Sequence, residues 1–184
     1  YGDGGAIFTD TDEWADLLKS YRIHGKGSNK YDNVRIGMNS RLDTLQAAIL
    51  QVKLKAFQEF ELEKANKVAD RYTKALSDLV QTPFILKNFY SSWAQYSILL
   101  KDQKDRDELK EYLGKKEIPS MIYYPKTMSQ QKAFKGMESV KTDLSIAADL
   151  SKRVLSLPLH PYMEHDEQDQ VINAIYKFLD NKKR

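Results

Sequence analysis

The chain has 184 residues, of which 41% are hydrophobic, 11% aromatic and 30% charged, the balance of a folded domain and not of a disordered tail. Its 29 basic and 26 acidic residues are mixed along the sequence and leave a formal charge of +3, so no strong field for nucleic acid exists, and Lys182-Lys183-Arg184 reads as a solvated end. The absence of cysteine excludes disulfides and thiolate metal sites and fits a reducing cytoplasm, while the longest apolar runs, Ile98 to Leu100 and Val154 to Leu159, are far too short to span a membrane.

In chain order, Gly4-Gly5 before Ala6-Ile7-Phe8-Thr9 predicts a turn leading into a short strand. Asp10 and Thr11 offer N-caps, with Glu13 placed for a capping box, to a helix through Trp14, Leu17, Leu18 and Tyr21. Residues 23 to 38 hold Gly25, Gly27, Asn29, Asp32, Asn33 and Gly37 and read as a long loop. Ser40-Arg41-Leu42-Asp43 is a second capping-box pattern. It opens a helical stretch from about 41 to 80, one bent helix or two consecutive ones, closed by Pro83. Leu42, Leu45, Ile49, Val52, Phe57, Phe60, Val68, Tyr72, Leu76 and Leu79 recur at helical spacing, which predicts a buried stripe.

The pattern then changes. Residues 93 to 100 predict a strand, 104 to 115 a helix ended by Gly114, and 119 to 124 a second strand. A short helix near 129 to 135, a helix from 142 to 153, the segment Leu155 to Pro161 and an amphipathic helix from 166 to 181 complete the chain. The fold class is α/β, with residues 1–81 supplying strand, helix, loop and long connecting helices and residues 82–184 a small α+β domain.

No nucleophile elbow, P-loop, His-Glu-x-x-His or Gly-x-Gly-x-x-Gly helix start is present. His24, His160 and His165 share no ligand-like spacing, so no metal site is expected. His160, between Leu159 and Pro161, suits a turn better than catalysis. Tyr123 and Tyr124 precede Pro125 at a predicted strand end, where alternation turns one ring inward and leaves the other free to meet a ligand. Asn39 and Arg41 stand at a predicted helix N-terminus, where free N–H groups and the helix dipole favour an anion and Arg adds a two-pronged contact. Taken alone, that pattern is also an ordinary helix start.

The stretches Tyr1 to Thr9, Ile36-Gly-Met-Asn-Ser-Arg-Leu-Asp43 with Gln46 to Leu50, and Leu155-Ser-Leu-Pro-Leu-His-Pro161 together resemble the DegT/StrS group of nucleotide-sugar aminotransferases. Within the group the chain looks most like enzymes that aminate the 3-keto position of UDP-linked hexuronic acids for bacterial surface polysaccharides. The resemblance implies the C-terminal portion of a fold type I enzyme dependent on pyridoxal 5'-phosphate (PLP). It further implies a homodimer with active sites at the subunit interface, and an amino donor that is usually glutamate. The family's PLP-bearing lysine is expected upstream of Tyr1, which would leave these residues inactive alone and without the cofactor. By the family pattern Asn39 reaches the cofactor phosphate of the other subunit, Arg41 approaches the nucleotide substrate, and Tyr123 and Tyr124 lie near that substrate. Where many members continue with Pro-Leu-His, this chain has Thr127-Met128-Ser129, which puts the substrate in question at that point. The contrasting expectation is a non-catalytic dimerisation or nucleotide-sugar-binding module.

Overall fold

Helices form where apolar residues recur with helical period: α1 (Asp12–Tyr21), α2 (Thr44–Ala56), α3 (Leu62–Leu76), α4 (Gln103–Gly114), α5 (Ser145–Arg153) and α6 (His165–Lys183). The computed structural model describes residues 4–29, 31–134 and 143–183. They divide into two compact units, Tyr1–Gln58 and Glu59–Arg184. The division differs from the break read at residue 81, because α3 packs on α6 and belongs with the C-terminal unit.

Between α2 and α3 a π-helical turn, Phe57–Glu61, widens the helix, a common cause of bending. The helical stretch expected from about 41 to 80, as one bent helix or two consecutive ones, is present as α2, the π-helical turn and α3, and it ends at Leu76, ahead of Pro83. Glu61, buried at the end of that turn, accepts a hydrogen bond from the Tyr162 hydroxyl.

The sheet has two strands, β1 (Tyr96–Leu99) and β2 (Val154–Leu157), paired antiparallel with Tyr96 opposite Leu157 and Ile98 opposite Leu155. The predicted strand at 119–124 is reduced to a single bridge between Met121 and Ser156. Pro119 and Pro125 bracket that stretch, and each lacks the N–H a ladder needs. Its place is taken by β2, in a segment that carried no strand assignment. Residues 6–9 likewise form no strand, having no ladder partner among the described residues.

Tyr72, Leu76, Tyr96, Ile98, Leu109, Leu113, Leu155 and Ile175 are fully buried between the sheet and α3, α4 and α6. Polar ties lock these helices. Gln168 Nε2 donates to the Val68 carbonyl at 2.7 Å, and Arg71 meets Asp169 at 2.7 Å. Arg106, also buried, donates to Asp107 at 2.6 Å and to the Ser151 carbonyl at 3.3 Å. At the start of α4 the Asp105 N–H donates to Asp102 at 2.9 Å and holds that carboxyl below its ordinary range.

In the N-terminal unit the predicted stripe is not buried. Leu42, Leu45, Val52 and Phe57 are exposed, and Phe8 and Ile36 are 92% and 94% exposed. Burial of the stripe begins only on α3, at Ala65, Val68, Ala69, Tyr72 and Leu76.

The buried tyrosines make a pH prediction. Burial raises the pKa of Tyr72, with Tyr96 adding to the effect, and burial likewise raises that of Tyr96, whose hydroxyl lies 2.8 Å from Thr73 Oγ1. Both phenols are held neutral in the folded state, whereas unfolded tyrosines ionise near pH ~10. Their stabilisation is complete below that pH and is lost as pH rises through the higher folded values. Absorbance at 295 nm is expected to report these two phenolates only together with collapse of the near-UV circular dichroism. Ionisation of all eleven tyrosines in a still-folded chain would contradict the burial.

Candidate functional site

The loop from 22 to 40 is built by two segments crossing backbone to backbone. Met38 N–H donates to the Tyr21 carbonyl at 2.8 Å, His24 N–H to that of Met38 at 3.0 Å, and Ser40 N–H to that of Arg22 at 2.9 Å. Gly25 takes φ +74°, and a Cβ there would lie 1.8 Å from the Arg35 carbonyl oxygen, so the crossing requires glycine. His24 shares the left-handed backbone at φ +58°, which assigns it to the turn.

This crossing delivers Asn39 and Arg41 to the start of α2. The Arg41 Nε donates to Asn39 Oδ1 at 2.9 Å, and both residues are exposed. The capping boxes read at Ser40/Asp43 and Asp10/Glu13 do not form, since Thr11 and Asp43 are the N-caps and neither makes a side-chain cap bond. The first turn of α2 has no acidic residue, although Asp43 is its N-cap, and the guanidinium and amide stand just before it in the chain. That arrangement can hold a phosphate.

Tyr123 and Tyr124 stack edge to face, with ring centroids 5.5 Å apart, and both line a pocket of ≈ 1000 Å³ in the C-terminal unit. Tyr124 is the freer ring, 68% exposed against 36% for Tyr123. Phe84, Leu99, Met128 and Leu150 supply apolar wall. Asn39 with Arg41 and Tyr123 with Tyr124 are thus each brought together as pairs, in different units. Sequence reasoning missed Lys126 and Gln131, which line the pocket together with Thr127. The available signal was the departure from the Pro-Leu-His pattern just after Pro125.

His160 is exposed and its carbonyl accepts the Met163 N–H at 3.1 Å, a turn role. No helix among the described residues is long and apolar enough to cross a membrane.

Residues 1–176 match the model of the DegT/DnrJ/EryC1/StrS aminotransferase family. The chain belongs to this family. It is 39% identical over 165 residues to the UDP-2-acetamido-2-deoxy-3-oxo-D-glucuronate aminotransferase of Pseudomonas aeruginosa, covering 89% of this chain and 44% of that protein. It is 31% identical to the dTDP-3-amino-3,6-dideoxy-alpha-D-galactopyranose transaminase of Aneurinibacillus thermoaerophilus, covering 95% of this chain and 47% of that one. The chain spans about half the length of the curated relatives it matches.

Among solved structures, a family aminotransferase from Brucella abortus superposes with a TM-score of 0.90 at 46% identity, covering 97% of this chain and 47% of that one. NtdA from Bacillus subtilis, solved with bound cofactor PMP, matches with a TM-score of 0.81 at 26% identity over 94% of this chain and 41% of its own. The fold is therefore that of the C-terminal portion of a PLP-dependent aminotransferase of the family.

Proposed function

We propose that these residues are part of a cytoplasmic, homodimeric PLP-dependent aminotransferase that moves an amino group from glutamate to a nucleotide-linked keto-sugar. The substrate is a UDP-linked 3-keto hexuronate used in bacterial surface polysaccharide synthesis. The observation that carries this reading is the exposed Asn39–Arg41 pair at the start of α2. The Pseudomonas relative supports the finer choice of sugar.

The pair fits the phosphate end of the cofactor. Asn39 accepts from Arg41 through Oδ1 and keeps its Nδ2 to donate to a phosphate oxygen of the PLP bound by the other subunit. PLP, when bound, supplies the electron sink for amino transfer. Arg41 holds the phosphate or sugar region of the nucleotide by charge-assisted hydrogen bonds, and Tyr123 and Tyr124 bound the sugar. Residues 1–81 are the end of the large domain with its connecting helices, and residues 82–184 are the small domain. In isolation these residues are inactive, because the PLP lysine is not among them. Against a free-standing binding module stands the lack of any buried apolar side chain among the described residues of the N-terminal unit.

The test is the intact mass of the protein as its native cell makes it, combined with borohydride reduction to fix PLP. A species much heavier than 184 residues that, untreated, converts glutamate to 2-oxoglutarate with a UDP-linked 3-keto sugar, and that in a separate sample reduced with borohydride loses this turnover and retains covalently fixed PLP, supports the reading. A species of 184 residues without trapped PLP or turnover would overturn it in favour of a binding or assembly role.

A further inference from the structure

We propose that Lys126 is a specificity-determining residue whose ammonium group is the counter-charge for the carboxylate of a hexuronate substrate. The inference rests on the aminotransferase reading above.

Lys126 lines the ≈ 1000 Å³ pocket beside Tyr123 and Tyr124, and it is the only charged side chain among the described residues of that lining. It is exposed and has no ion-pair partner among the described residues. The other groups facing the pocket are apolar, aromatic or neutral hydrogen-bonding side chains, such as Phe84, Leu150 and Gln131. A ligand entering it therefore finds compensation for one negative charge, and no more, among the described lining residues. A second would be desolvated against apolar walls without a partner, at a cost that weakens binding.

The type of cation selects among the anions of a sugar nucleotide. A pyrophosphate offers several oxygens in an array that suits the flat fork of arginine, whereas an ammonium is a compact point charge suited to a single carboxylate. The turn following Lys126 is held in place. Thr127 N–H donates to Gln130 Oε1 at 3.0 Å, Gln130 N–H to the Thr127 carbonyl at 3.1 Å, and the Thr127 and Ser129 hydroxyls meet at 2.8 Å. These contacts are made by Thr127 and Ser129 where many family members have Pro-Leu-His. The lysine thus stands at the start of a hydrogen-bonded turn, beside the two tyrosines assigned to the sugar.

The experiment uses the PLP-bearing native protein and calorimetric titration with UDP-N-acetylglucosaminuronate and UDP-N-acetylglucosamine. The two ligands share nucleotide, pyrophosphate and ring, and differ in having a carboxylate or a hydroxymethyl group on C5. Lys126→Met is expected to weaken uronate binding by about tenfold or more while leaving the neutral sugar within about twofold. Lys126→Arg should recover most of the uronate affinity. An equal loss for both ligands would assign the lysine to the pyrophosphate or to the fold, and an unchanged uronate affinity would remove it from the site; either result overturns the inference alone. If the wild-type protein binds neither sugar nucleotide and yields no trapped PLP, the aminotransferase reading has failed and takes the inference with it.

Discussion

Tyr72→Ala is expected to lower the unfolding free energy of the C-terminal unit by about 3–5 kcal/mol, the usual cost of deleting a buried aromatic ring. Tyr72 is fully buried, its ring centroid lies 5.2 Å from that of Tyr96, and its hydroxyl donates to the Pro158 carbonyl at 3.0 Å. The substitution opens a cavity between α3 and β1 and leaves the carbonyl of Pro158 without its donor. Tyr72→Phe keeps the ring and loses only the hydrogen bond, so it should cost about 1 kcal/mol. Urea titration reads both as a fall in midpoint at constant slope. A loss below about 1 kcal/mol for the alanine variant would mean that the ring is not seated in the core.

The second large effect is on activity. In the PLP-bearing protein, Arg41→Ala is expected to reduce kcat/KM for the sugar nucleotide by roughly 10- to 100-fold, corresponding to about 1.5–3 kcal/mol for a charged hydrogen-bonding group. Most of the change should appear in KM, since the guanidinium is proposed to hold a part of the substrate that does not react. Arg41→Lys should recover only part of it, because an ammonium cannot reproduce a two-pronged contact. Thermal stability should hardly change, as Arg41 is exposed and its described hydrogen bond is to the exposed Asn39. Steady-state kinetics with varied sugar nucleotide decides the matter. An unaltered KM would exclude Arg41 from the substrate site.

Much of this architecture was legible where local and tertiary preferences agree. The helix ended by Gly114 lies within a residue of its expected bounds, because apolar period and end signals coincide there. The strands at 6–9 and 119–124 were read from composition, but a strand exists only when a ladder partner is available, and composition is blind to the partner. The α2 stripe was misread as buried for the same reason: period shows that a face is apolar and cannot show what covers it. Asn39 and Arg41 could be proposed from the sequence because they belong to one short motif, and the structure brings their side chains into contact. Lys126 was not, because its isolation as the only charge among the described pocket residues depends on which side chains the fold removes from its surroundings.

The clasp of Gln168 on the Val68 carbonyl joins residues separated by 100 positions, and Tyr176 reaches the Ala75 carbonyl across 101. Such remote pairing slows the search for the native state and dictates its timing during synthesis. Until α6 is in place the inner face of α3 lacks part of its cover, and Ala65, Val68 and Leu76 are left to solvent or a chaperone. A ribosome stalled before Val171, or a protease that clips there, would yield a nascent chain destined for quality control, however complete its earlier helices.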